Sequence, residues 1–314
     1  MWEVVSTAVF NYRIFIMPKL NYKVPIVIVL LLLVGLAGFV HSRARRLVSP
    51  PRTFTHETPS DYGIADWQEV TFATEDDLQL AGWYVPPQGR GGATIIFVHG
   101  LGSNRGALLN QAAMLAEKGY GALLFDLRAH GRSEGHKSSW GLDEVEDVKA
   151  ALSFLQSKPE VDPGKIGLAG HSMGGAIAIR AAAQLPEIRL VVAESVYTNF
   201  TDNQHRLTVA FARLPEWTAP VIMRWAEWIA GVDSSQLAPL TEVASLSPRP
   251  ILFIQGGRDK IVHVSNGSTL YETAVSPKER LLIPNADHTN LFETGPELMT
   301  KRMRRFMADF LTER

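Results

Sequence analysis

Residues 167–179 read GLAGHSMGGAIAI: small and apolar residues, a polar His171-Ser172 pair, then small and apolar residues again. The first part belongs to a buried strand, KIGLAG at 165–170, and the last to a helix, MGGAIAIRAAAQL at 173–185. At the corner between them, Gly170, His171, Ser172, Met173 and Gly174 spell G-x-S-x-G. Small residues on either side allow a turn too sharp for a Cβ, which forces the serine into a strained conformation with its Oγ standing clear. At a helix N-terminus that oxygen also lies in a positive local field, which favours a developing anion. The strand-turn-helix setting favours this nucleophile reading over a turn that merely serves tight packing.

Working outward from this corner, the strand pattern recurs. TIIFV (94–98), GALLFD (121–126), LVVAES (190–195), PILFIQ (250–255) and RLLIP (280–284) are short, near-continuous runs of β-branched and large apolar residues. Helical stretches separate them, including ALLNQAAMLAEKGY (107–120), LDEVEDVKAALSFLQSK (142–158) and PELMTKRMRRFMADFL (296–311). Runs of this kind mark strands covered on both faces, so the fold class is α/β: a mainly parallel central sheet with helices on both faces. Ahead of them, QEVTFAT (68–74) and LQLAGWYVP (78–86) flank the turn EDD and read as an antiparallel hairpin.

Composition narrows the function. With 46% hydrophobic and 20% charged residues and a net charge of -1, the 314 residues can build a sizeable core and carry no electrostatic footprint for nucleic acid. The absence of cysteine removes disulfides, zinc-thiolate sites and a cysteine nucleophile, so covalent catalysis must use another residue. His99, His130, His171 and His288 lack ligand spacing, and GLGSNRG (100–106) matches neither a P-loop nor a dinucleotide fingerprint; no metal and no cofactor is expected.

The N-terminus departs from this soluble profile. VPIVIVLLLLVGLAGFV (24–40) is uninterrupted and apolar, and as a helix it spans roughly 26 Å, which reads as a single-pass membrane anchor. A cleaved signal peptide, with GLAG (35–38) as its small-residue site, is the alternative; Arg43, Arg45 and Arg46 directly after the run suit a retained helix better. Arg13, Lys19 and Lys23 on one flank balance Arg43, Arg45, Arg46 and Arg52 on the other, so charge assigns no side. Residues 1–23 form a basic lead in which Met17 offers an alternative start. Residues 41–65, containing SPPRTFTHETPSDYG (49–63), read as a linker, and 66–314 as the globular domain.

In an open parallel sheet, chemistry gathers at the carboxyl ends of the strands. A serine hydroxyl needs a base near neutral pH and a third group to hold that base in the right tautomer. His288, in IPNADHTNLF (283–292), follows the last strand, and Asp259, in FIQGGRDKIVH (253–263), follows the one before it. The order Ser, Asp, His on successive strand ends makes the set specific. Asp287 is poorly placed to accept from the neighbouring ring and reads as solvated; Asp126 reads as structural. For the oxyanion, FVHGLGSNRG (97–106) offers the N–H of Leu101, and the second donor is the N–H of Met173, with His99 stabilising the turn.

These motifs resemble those of the α/β-hydrolase superfamily: VHGLGSN, FDLRAHGRSEG, GHSMGG, GGRDKIV and ADHTNLF occur in the family's order, and the likeness runs from about Asp66 to the C-terminus. The resemblance implies an α/β-hydrolase fold with Ser172 as nucleophile, His288 as base, Asp259 as orienting acid, and Leu101 and Met173 as oxyanion donors. Within the superfamily the chain is similar to membrane-anchored hydrolases with a short cap, in the serine aminopeptidase or monoacylglycerol lipase-like branch. A serine at 172, where dehalogenases of similar fold carry aspartate, implies acyl transfer to water through an acyl-enzyme. The oxyanion loop lacks the three-glycine form of many esterases, which argues against a short-chain carboxylesterase. A small helical cap is expected at about 199–247, where TAPVIMRWAEWIAG (218–231) puts apolar residues 222, 225, 226 and 229 on one helical face. Trp217, Trp225 and Trp228 are candidates to line an acyl pocket, touch the bilayer or pack the cap on the core. The expected function is hydrolysis of an ester or thioester with an apolar acyl group, on a small-molecule or lipid-like acyl substrate. A peptidase or amidase on short peptides, or a non-catalytic membrane-tethered binding protein, is the alternative.

Overall fold

The computed structural model describes residues 23–89 and 91–312. Two compact units divide the chain, one ending at Phe39 and the other running from Val40 onward. In the first, the described residues belong to the helix α1 (Lys23–Val48), whose apolar stretch has a mean hydropathy of 2.7 and is long and apolar enough to cross a membrane. Apart from Lys23, the expected basic lead and Met17 fall outside the described residues.

In the second unit, eight strands among the described residues form one sheet: β1 (Gln68–Ala73), β2 (Gln79–Val85), β3 (Gly92–Val98), β4 (Gly121–Phe125), β5 (Val161–His171), β6 (Ile188–Glu194), β7 (Ile251–Gly256) and β8 (Lys278–Ile283). Their order is β1-β2-β4-β3-β5-β6-β7-β8; β2 is antiparallel to both its neighbours and every later pairing is parallel. The hairpin expected at 68–86 is β1 and β2, with Gln68 opposite Tyr84.

The apolar runs work as two-faced strands. Ile96 and Val98 of β3 enter one core cluster while Ile95 and Phe97 enter the other, and β7 divides Ile251 and Phe253 from Leu252 and Ile254 in the same way. Helices cover both faces. Helices α2 (Leu109–Ala116), α3 (Glu144–Gln156) and α4 (Met173–Gln184) lie between β3 and β6, and α5 (Phe200–Leu207), α6 (Ala219–Ala230) and α7 (Pro239–Glu242) between β6 and β7. Then come α8 (Val264–Thr273), α9 (Leu291–Thr294) and α10 (Pro296–Met307). Helices α3 and α4 pack on one face through Val148, Leu152 and Ile177, and α2 and α10 on the other through Leu109, Met303 and Phe306. Because β3 sits between β4 and β5, the chain reverses its direction of travel across the sheet there, and the loops leaving β3 and β5 are adjacent.

The stretch expected to be a linker, 41–65, is instead folded into the second unit. Ala44, Leu47 and Val48 are fully buried. The Trp140 indole N–H donates to the Leu47 carbonyl at 2.8 Å, and the Ser138 N–H to the Val48 carbonyl at 2.7 Å. Farther on, Pro59–Tyr62 forms a 3-10 turn closed by a reciprocal Thr58 and Asp61 cap. Proline, serine and threonine without hydrophobic period describe a free linker and a strap bound through polar groups equally well, which is why composition misplaced the boundary.

Candidate active site

The corner after β5 is built around glycines that admit no side chain. A Cβ on Gly170 would collide with the Gly174 carbonyl, one on Gly174 with the Val98 carbonyl at the end of β3, and one on Gly175 with Val196. This close approach of α4 to the strand ends bends the chain so sharply that Ser172 takes φ +56° and ψ -119°. For a residue with a Cβ this is strained backbone, and the Ser172 N–H is held by the Glu194 carbonyl at 2.8 Å.

The strained serine meets its expected partners. Ser172 Oγ lies 2.9 Å from His288 Nε2, and His288 Nδ1 lies 2.8 Å from Asp259 Oδ2. Asp259 Oδ1 accepts from the N–H groups of Ile261 at 2.9 Å and Val262 at 2.8 Å, while the Gln255 amide donates to Oδ2 at 3.2 Å. Burial alone would raise the Asp259 pKa, but the His288 ring and the two backbone donors outweigh it and hold the carboxyl below its ordinary value. With Asp259 anionic, Nδ1 of His288 carries the hydrogen and Nε2 is free to accept from Ser172 Oγ–H.

Two further residues place the His288 backbone. The Asp287 carboxylate accepts from the Thr289 N–H at 2.9 Å and the Asn290 N–H at 3.2 Å, closing the turn around the ring. His171 donates from Nε2 to the His288 carbonyl at 2.7 Å. Burial, and then the neighbouring His288 ring, push His171 down to about 4, so it stays neutral.

The loop after β3 is fixed by histidines. His99 Nδ1–H donates to the Gly100 carbonyl at 2.8 Å, and its Nε2 accepts from the Leu127 N–H at 3.0 Å. That pattern requires a neutral ring, and burial, followed by the charge of His130, lowers His99 to about 3. The Gly100 carbonyl and the Leu101 N–H belong to one peptide group, so the bond to His99 both orients and polarises the Leu101 donor. Next along, the Gly102 N–H donates to His130 Nε2 at 3.0 Å. Met173 is the first residue of α4, where an N–H has no intrahelical acceptor. His99 thus stabilises the turn, and Asp126 ties it to neighbouring loops by accepting from the N–H groups of Arg105 and Arg132.

Ser172 opens on a cavity of about 490 Å³ with apolar walls from Leu101, Leu108, Phe211, Ile261, Leu291 and Phe292. The helical cap between β6 and β7 supplies Phe211 from the turn Thr208–Ala212. Its tryptophans lie elsewhere: Trp217 and Trp228 are 78% and 73% exposed, and Trp225 donates to His41 at 3.2 Å. A larger cavity, about 690 Å³, lies between Gln88, Lys118 and Arg304, and its described lining includes no serine, histidine or carboxylate.

Three contributors to the site escaped sequence reading. Glu194 ends β6 and borders the cavity at 1% exposure, with the Gln111 amide 3.3 and 3.1 Å from its two oxygens. Burial, opposed by that hydrogen bond, pushes its pKa up to about 8. The only signal was an acid closing an otherwise apolar run. Thr53, the third, lines the cavity from the segment expected to be a linker.

A serine, histidine and aspartate in one hydrogen-bonded line, carried on the strand ends of this sheet order, define the α/β-hydrolase class. The chain belongs to the α/β-hydrolase superfamily and is a hydrolase of that type; the family described as serine aminopeptidase, S33, matches residues 90–236. The esterase Pf2001 of Pyrococcus furiosus is 30% identical, with 84% of this chain and 98% of that chain covered and a TM-score of 0.72. Among curated proteins, Rv2307c of Mycobacterium tuberculosis (strain ATCC 25618 / H37Rv) is 29% identical over 287 residues, covering 90% of this chain and 94% of the relative. YfhR of Escherichia coli (strain K12) is 26% identical over 280 residues, covering 87% and 90%.

Proposed function

We propose that this protein is a membrane-tethered serine hydrolase that cleaves an ester or thioester with an apolar acyl group through an acyl-enzyme. The observation that carries this reading is the line Ser172 Oγ, His288, Asp259 at the mouth of an apolar-walled cavity. As Oγ adds to the carbonyl carbon, His288 Nε2 takes its proton, and the Asp259 carboxylate holds the ring and stabilises the imidazolium. The Leu101 and Met173 N–H groups receive the oxyanion. Collapse breaks the bond to the alcohol or thiol, which leaves with the proton from His288; water then repeats the sequence and releases the acid.

The aliphatic and aromatic walls suit an alkyl chain, and the apolar stretch at 24–40, read as the tether, favours a lipid-like acyl substrate. The esterase Pf2001, which this chain resembles, supports ester cleavage. The serine aminopeptidase description of the matching family supports a second reading, a peptidase or amidase using the same three residues.

The test is fluorophosphonate labelling of the full chain in detergent, wild type beside Ser172→Ala, followed by acyl esters, acyl thioesters and aminoacyl amides. Labelling is expected in wild type alone, with esters or thioesters turned over faster than amides. Preference for the amides would move the assignment to the peptidase reading, and a folded wild type that never labels would leave a binding protein.

A further inference from the structure

Residues 49–55, directly after α1, lie against the oxyanion loop and the turn beside it. The Arg52 guanidinium donates through Nη1 to the carbonyls of His130, Gly131 and Ser133 and through Nη2 to that of Gly135. Four carbonyls around one cation gather the 130–135 turn, and that turn presents His130 Nε2 to the Gly102 N–H. From the other side, Thr53 Oγ1 donates to the Gly102 carbonyl at 3.1 Å and accepts from the Asn104 amide at 3.2 Å.

Both polar groups of the Gly102 backbone are therefore held by side chains from outside the loop. Gly102 sits at φ +70°, where a glycine has little intrinsic reason to stay in one conformation. These bonds hold the Leu101–Gly102 and Gly102–Ser103 peptide groups; without them, the bond from His99 to the Gly100 carbonyl is left to fix the direction of the Leu101 N–H from one side alone. Thr53 also lines the cavity onto which Ser172 opens.

We propose that Thr53 and Arg52 are positioning residues that aim the Leu101 N–H, so that the segment after α1 is a working part of the active-site wall. This rests on the reading of Ser172 as nucleophile and the Leu101 N–H as oxyanion donor. Arg52 acts through the 130–135 turn and His130; Thr53 acts directly on the Gly102 carbonyl.

The experiment uses the full chain in detergent with p-nitrophenyl octanoate and a fluorophosphonate, comparing wild type, Ser172→Ala, Thr53→Val, Thr53→Ser and Arg52→Ala. Complete loss of an oxyanion donor lowers kcat by about 10²–10³; a misaimed one is expected to cost part of that, about tenfold in Thr53→Val. KM is expected to stay within about twofold, and fluorophosphonate inactivation to slow in parallel, because phosphonylation develops the same negative oxygen. Thr53→Ser keeps the hydroxyl and is expected to recover to within about threefold of wild type, while Arg52→Ala falls below Thr53→Val. Thr53 is exposed, so the valine disturbs no core.

Unchanged kcat in Thr53→Val, a change confined to KM, or failure of Thr53→Ser to recover overturns the proposal. With Ser172→Ala inert, those results leave the serine hydrolase reading standing. Turnover and labelling that persist in Ser172→Ala overturn that reading, and the positioning roles fall with it.

Discussion

At Glu194 the folded chain keeps a proton that the unfolded chain gives up. The ordinary carboxyl value is 4.5 and the buried one about 8, so between them the native state binds more protons. Stability attributable to this group is therefore greatest below the lower value and falls as pH rises through the window. Glu194→Gln keeps the shape and an acceptor for Gln111 but cannot ionise. Its melting temperature relative to wild type is expected to climb by a few degrees between pH 5 and pH 8.5; a difference constant across that range would mean the carboxyl is already charged at neutrality. His99 and His171 act in the opposite sense. Their native values of about 3 and about 4 lie below the ordinary 6.5, so the unfolded chain binds more protons as pH drops and the fold weakens on the acid side.

At the scale of elements, the junction of β5 with α4 tolerates almost no change. A methyl group at Gly174 would press on backbone atoms of Val98 and His99, and backbone cannot rotate aside as a side chain can. Gly174→Ala is expected to cost about 3 kcal/mol, read as a lower urea midpoint, and to abolish fluorophosphonate labelling in whatever remains folded. This junction was legible in the sequence because strand, turn and helix each carry their own periodicity, and the same logic found the hairpin and the remaining strands. Ser172, Asp259 and His288 were legible for a related reason: each follows an apolar run that marks a strand end. Residues 41–65 were not. Arg52 and Thr53 work through backbone carbonyls, which have no residue type and so leave no trace in the sequence. Glu194 was hidden differently, since an acid at the end of a strand ordinarily faces water.

For the molecule as a whole, the division between Phe39 and Val40 matters to where the chain can be cut. Removing residues 1–39 leaves the second unit entire, and such a chain is expected to melt near the full-length value. Removing 1–55 also takes Ala44, Leu47 and Val48 from the core and the Arg52 and Thr53 bonds from the loops. At about 1.5–3 kcal/mol for each large apolar side chain, that loss is expected to lower the melting temperature by roughly 10 °C or more. Differential scanning fluorimetry of the two truncations separates the cases, and equal melting would show that the 40–55 stretch contributes nothing to the fold.

Ser172 and His288 are separated by 116 positions, yet they share one hydrogen bond. During synthesis the serine therefore emerges from the ribosome long before His288 has been translated. Until β8 has joined the sheet edge and the following loop has come across, the Ser172 hydroxyl lacks its hydrogen bond to His288. On the proposed reading of Ser172 as nucleophile, the growing chain is expected to stay chemically silent and to become reactive only when the last strand is in place.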